Sequence, residues 1–111
     1  METVYLNQLS TVASYNLEAG ASVTCKRVLI GEEFVIKNQS SHNAMLAINW
    51  SCDDDLLLAE TLKVTLVPGA KLEFEPITSD CQLQILDVIS LENLSETNLS
   101  VERLLPHSAL N

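Results

Sequence analysis

Basic side chains are scarce in this chain. Six Lys and Arg stand against fifteen Asp and Glu, for a formal charge of −9 and a pI near 4.4. A surface of that sign repels phosphate backbones, which proteins hold by neutralising them with Lys and Arg, and it repels anionic bilayers. Neither direct nucleic-acid binding nor docking on a membrane is expected. Glycine is rarer still. Gly20, Gly31 and Gly69 stand apart from one another, so no glycine-rich loop is present to cradle the phosphates of a nucleotide.

The side chains that usually carry catalysis are thin as well. A Ser or Cys nucleophile needs a base, usually His, held by a third group. The two histidines are His42 in a polar stretch and His107 near the end, with no Gly-x-Ser-x-Gly context anywhere. No catalytic residue is assigned, and the chain is expected not to be an enzyme. Zinc takes Cys or His ligands in close pairs, whereas Cys25, Cys52 and Cys81 are far apart. Asp53, Asp54 and Asp55 are clustered hard donors for calcium, but they lack the alternating spacing, glycine and closing Glu of an EF-hand loop, so they read as a solvated acidic turn. No cofactor is expected.

Long apolar runs are missing. Nothing approaches the roughly 20 apolar residues of a membrane-spanning helix. Met1 to Gln8 has no basic region leading into an apolar one, so no secretion signal is expected. With an odd number of unpaired-looking cysteines, a reduced intracellular setting is the simpler reading, and one disulfide plus a free thiol is the alternative. Four Asn-x-Ser triplets begin at Asn38, Asn49, Asn93 and Asn98. Without export they read as turn residues rather than glycan acceptors. Aromatic rings make up 5% of the chain. Trp50 is the sole tryptophan, a residue type that serves as core, ligand platform or interface anchor. Beside Tyr5, Tyr15, Phe34 and Phe74 it gives thin support for sugar recognition.

What the chain has is aliphatic mass, 47% hydrophobic, arranged in alternation. From Thr11 to Ile89 apolar and polar residues trade places with the period of half-buried strands. In Leu62-Lys63-Val64-Thr65-Leu66 and in Leu72-Glu73-Phe74-Glu75 the polar partners take the wet face. Ser22 to Ile30, Glu33 to Asn38, Ala44 to Trp50 and Gln82 to Ile89 are further strands. Gly31-Glu32 reads as a tight connection, Gln39 to Asn43 as a polar loop, and Pro68-Gly69 as the centre of a type II turn. Asp53 to Glu60 is either a short helix or an acidic loop. Leu17 to Cys25 echoes Leu66 to Phe74 as strand, tight turn and strand, in the manner of two hairpins.

The expected fold is all-β, an antiparallel β-sandwich or jelly-roll-like barrel over residues 1–89. A C-terminal arm follows over residues 90–111, where alternation fades and Val101 to Leu105 suggests a helical turn before Pro106. The order of elements in Leu17 to Cys25, Gly31 to Asn38 and Leu66 to Phe74 resembles that of small β-sandwich virion proteins of tailed bacteriophages, such as head decoration and head-tail or tail accessory subunits. That resemblance implies a non-enzymatic structural subunit assembled in the host cytoplasm and residing in the virion. Its partners would be other protein subunits, in a homo-oligomer or on a viral scaffold. On that reading the contact residues are Leu91, Leu94, Leu99, Val101, Leu104 and Leu105 of the arm, together with Trp50. An alternative is an acidic inhibitor that mimics nucleic acid, as in anti-CRISPR or anti-restriction proteins, using Glu32, Glu33, Asp53, Asp54, Asp55, Glu60, Glu73 and Glu75. A third is a small carbohydrate-binding or calcium-dependent module using Trp50 and Asp53 to Asp55.

Overall fold

The computed structural model describes residues 9–52, 60–76, 81 and 85–106. These form eight strands and no helix: β1 (Leu9–Leu17), β2 (Ser22–Leu29), β3 (Glu33–Lys37), β4 (Ala44–Ser51), β5 (Glu60–Leu66), β6 (Lys71–Phe74), β7 (Ile85–Asn93) and β8 (Leu99–Pro106). They build two four-stranded antiparallel sheets in the orders β1-β8-β3-β6 and β2-β7-β4-β5. The expectation of an all-β sandwich is met in its jelly-roll form. The acidic stretch 53–59, His107 and the N-terminal octapeptide lie outside the described residues.

Alternation sets the core. Along β4, Ala44, Leu46 and Ile48 are buried between the sheets while Met45 is exposed. Phe34 and Ile36 of β3 meet Ile89 and Leu91 of β7, Leu99 and Val101 of β8, and Leu46 in one cluster. Each such side chain contributes about 1.5–3 kcal/mol on burial. The few rings are used economically: Phe34 stacks on Phe74 with centroids 5.5 Å apart.

Two tight turns carry the chain between sheets. Ala21 N donates to Glu18 O at 2.9 Å and Ala70 N to Val67 O at 2.9 Å, with Gly20 and Gly69 at φ +76° and +81°. That left-handed backbone is what a type II turn requires of its third residue, as expected at Pro68-Gly69. The two echoing segments are not hairpins, however. β1 and β2 lie in different sheets, as do β5 and β6, so each turn is a corner of the sandwich.

Each corner is clasped by an Asn-x-Ser triplet. Asn93 Nδ2 donates to Leu17 O (2.9 Å) and Thr97 O (2.7 Å), while its Oδ1 accepts from Ser95 N and Oγ. Asn38 does the same at the other corner, donating to Leu66 O and His42 O (2.8 Å each) and accepting from Ser40 N and Oγ. Both asparagines are fully buried, which fits their reading as turn residues and closes them to glycan transfer in the folded chain. Exchanging β1–β4 for β5–β8 turns the order of the first sheet into that of the second, so the two halves are alike in strand order and in their clasped corners.

Two expectations are corrected. Residues 99–106 are a strand, not a helical turn in an arm: β8 lies between β1 and β3 and pairs with both. The proposed boundary at 89/90 falls inside β7. The alternation is masked because Arg103 occupies the inward register after Leu99 and Val101, where a half-buried strand ordinarily carries an apolar residue. The cysteines are not all reduced either. Cys52 and Cys81 form a disulfide with Cα atoms 5.4 Å apart, and Cys25 is a buried free thiol.

Candidate functional site

The residues proposed for contact are not brought together. Leu91, Leu99 and Val101 are within 1% of complete burial in the core and so cannot present a surface. Leu104 and Leu105 are half-buried on β8, and Leu94 is exposed in the β7–β8 loop, where its N–H donates to Met45 O at 2.8 Å. Trp50 stands elsewhere, half-buried near the end of β4.

Around Trp50 the sandwich is open. Among the described residues β5 and β6 are the outermost strands of their sheets on this side, and no further strand covers the inward side chains they carry. Leu62, although it faces inward in β5, is 50% exposed. Ile48 and Trp50 of β4, Leu62 of β5, Leu72 and Phe74 of β6 and Ile89 of β7 line a cleft of about 160 Å³ together with Glu75 and Pro76. A cavity of about 150 Å³ with such a lining is large enough for a benzene ring. The Cys52–Cys81 disulfide ties the residue after β4 to the connection between β6 and β7.

The opposite seam, between β1 and β2, is built from the equivalent positions and is polar. Arg103 pairs in register with Phe34 as Trp50 pairs with Ile89, and Phe34 and Ile89 each stand four residues before a clasping asparagine. The Arg103 guanidinium reaches Glu32, Nε donating to Oε1 and Nη2 to Oε2 at 3.2 Å, and Glu32 Oε2 also accepts from Leu29 N at 2.7 Å. These bonds raise the Arg103 pKa. Beside the pair, Tyr15 Oη lies 3.9 Å from Cys25 Sγ. Burial first, and then Cys25, pushes the Tyr15 hydroxyl up, and burial raises the Cys25 thiol against the pull of Tyr15 and Arg103. A buried thiol held protonated is a weak nucleophile.

Glu32 therefore does not belong to an outward acidic face, as the nucleic-acid-mimic reading had it. Glu33 does face outward, with Glu73 and Glu75 close by; burial and then these two carboxylates raise its pKa. Lys71 pairs with Glu73 at 2.8 Å and Lys37 with Glu102 at 3.6 Å. A second, shallower trough of about 690 Å³ runs between the loops that carry the two clasps, lined among others by His42, Met45, Leu94 and Glu96. Among the described residues no group of three or more His, Cys, Asp or Glu is placed to hold a metal. Asp53, Asp54 and Asp55 lie outside them.

From the sequence, Trp50 was the one pointer to the cleft. Leu62 and Phe74 read as ordinary core positions, because exposure at an outer strand is a property of sheet order. The ion pair of Glu32 with Arg103 spans most of the chain and left no local signal.

The sequence matches no protein-family profile and no curated protein. The fold, in contrast, is widely shared. A chain of the Triatoma virus empty capsid aligns with 91% of this chain over 87% of its own length, at 8% identity and a TM-score of 0.53. PirA aligns with 86% over 92% of its length, at 9% identity and a TM-score of 0.51. The agarase AgWH50C aligns with 88% of this chain over 23% of its own, at 11% identity and a TM-score of 0.51. At such identities the likeness is one of fold.

Proposed function

We propose that this chain is a non-enzymatic subunit that works by binding other protein chains in a larger assembly, with a virion as its setting and tailed bacteriophages as its source. One observation carries the reading: among the described residues β5 is an outer strand paired on one side only, and it borders an apolar cleft that holds the sole tryptophan. Outer strands template pairing with other chains, and a Trp in an apolar recess is a frequent interface anchor. The jelly roll adds support because the same fold serves a viral capsid chain, as it does many capsid domains.

Assembly in a host cytoplasm adds a condition, since cytosolic thiols are kept reduced. On this reading Cys52 and Cys81 join after the particle leaves the cell. The test is light scattering coupled to size exclusion on the purified chain, followed by mass spectrometry of particles from the source. A closed oligomer, or recovery of the chain from purified particles with Cys52 and Cys81 linked, is the expected result. A strict monomer that is absent from any particle overturns the reading.

A further inference from the structure

The two walls of the apolar cleft belong to different sheets. Trp50 and Leu62 come from β4 and β5, while Leu72 and Phe74 come from β6, with Glu75 and Pro76 directly after it. Among the described residues no strand pairing joins β5 to β6, so at this seam the walls are held by packing and by one covalent cross-link. That cross-link is the Cys52–Cys81 disulfide. Cys52 follows Trp50 by two residues and Cys81 follows Pro76 by five, so each half of the bond continues one wall.

The two half-cystines are not equivalent. Cys52 is exposed, whereas Cys81 is 4% exposed and belongs to the hydrophobic core cluster. The third cysteine, Cys25, is 3% exposed, and Ile89 stands between it and Trp50, since both pair in register with Ile89. Exchange needs a thiolate to reach a sulfur, and structural buried cysteines are inert to reagents in solution. One of the three cysteines is therefore open to a soluble thiol.

We propose that Cys52 is the thiol–disulfide exchange site of this chain, taking small soluble thiols and disulfides of the glutathione class, and that its bond to Cys81 is a latch on the apolar cleft. To break the latch, a small thiolate attacks Cys52 Sγ. A bond forms between that sulfur and Cys52, the Cys52–Cys81 bond breaks, and Cys81 leaves as a thiolate that takes up a proton. A second small thiolate then attacks the small sulfur held on Cys52 and expels Cys52, which is protonated in turn. The two electrons come from the two small thiols, which end as their own disulfide. To make the latch, the Cys52 thiolate attacks a small disulfide and releases one thiol, and Cys81 then displaces the other from Cys52. With the bond broken, the wall of Phe74, Glu75 and Pro76 is free to part from Trp50 while the strand pairings of both sheets remain. This goes beyond the assembly reading and needs no partner chain.

The test exposes the full, oxidised chain to mixtures of reduced and oxidised glutathione, with peptide mapping by mass spectrometry to locate the adducts. Adducts are expected on Cys52 and on neither Cys81 nor Cys25. Trp50, being the sole tryptophan, reports the cleft. Its emission should move to longer wavelength on reduction and return on reoxidation, with the far-ultraviolet dichroism of the strands unchanged throughout. Cys81→Ser should hold glutathione on Cys52 and show the shifted emission without any reductant, whereas Cys52→Ser, while its strand signal persists, should take up none. Adducts on Cys81 or Cys25 in a chain that keeps its strand signal would overturn the exchange site. Trp50 emission that stays fixed on reduction would overturn the latch, and so would loss of the strand signal, because the bond would then hold the whole domain rather than the cleft. Mapping of the wild-type chain decides the exchange site even where a Ser variant does not fold.

Discussion

The two seams of the sandwich occupy equivalent places in its two halves and are finished in opposite ways. At the β1/β2 seam, Arg103, Glu32, Tyr15 and Cys25 form a buried polar group, with Cys25 3% exposed. At the β5/β6 seam the positions equivalent to Arg103, Tyr15 and Cys25 carry Trp50, Val64 and Phe74, and Leu62 stands half in solvent. One fold can thus spend the same positions on closure or on an opening. The polar seam has fixed partners and a penalty for losing them. The apolar seam has surface to spare.

Substitutions should separate the seams by size of effect. Arg103→Ala strands the Glu32 carboxylate in the interior and should lower stability by about 3–4 kcal/mol in urea unfolding, the scale for breaking a buried pair; a loss under about 1 kcal/mol would remove the contrast. Reduction of the disulfide, whose cysteines are 29 residues apart, should lower stability by about 3 kcal/mol in the same assay. Asn38→Ala and Asn93→Ala each leave buried backbone groups unsatisfied. Each should lower stability by about 2 kcal/mol, and near-equal losses are what similar halves require. Leu62→Ser, at the open seam, should change stability by less than about 1 kcal/mol while altering Trp50 emission.

The smallest effect is a pH dependence. Because the Glu33 pKa is raised in the folded state, ionised Glu33 opposes folding. That penalty is present above its folded pKa and disappears as pH falls below the ordinary carboxylate range, where folded and unfolded chains are both protonated. Glu33→Gln should therefore be slightly stabilising at neutral pH, by about 0.5 kcal/mol or less, with no gain in acid. A loss of stability at pH 7 would contradict the crowding.

Much of the sandwich was legible because strands write their burial into a period of two. Six strands between Ser22 and Ile89 were readable, as were the turns at Gly31 and Pro68-Gly69, whose backbone needs few residues can meet. β8 was missed for a physical reason: its inward register passes from Leu99 and Val101 to Arg103, and a charge on the core face is intelligible only once Glu32 is known to lie opposite. The cleft was legible only as an isolated Trp50. Whether an inward residue such as Leu62 is covered depends on which strand lies outermost, and alternation carries no information about that.

By itself, then, the sequence determined the acidic surface, the all-β class and most strand faces, since charge and alternation are local properties. Tertiary structure decided the rest. It turned two look-alike hairpins into corners clasped by Asn38 and Asn93, joined Cys52 to Cys81, drew the supposed arm into the middle of a sheet, and left β5 at an edge. These are long-range pairings, fixed by which strands meet when the sheets close, and no short window of sequence holds both members of such a pair.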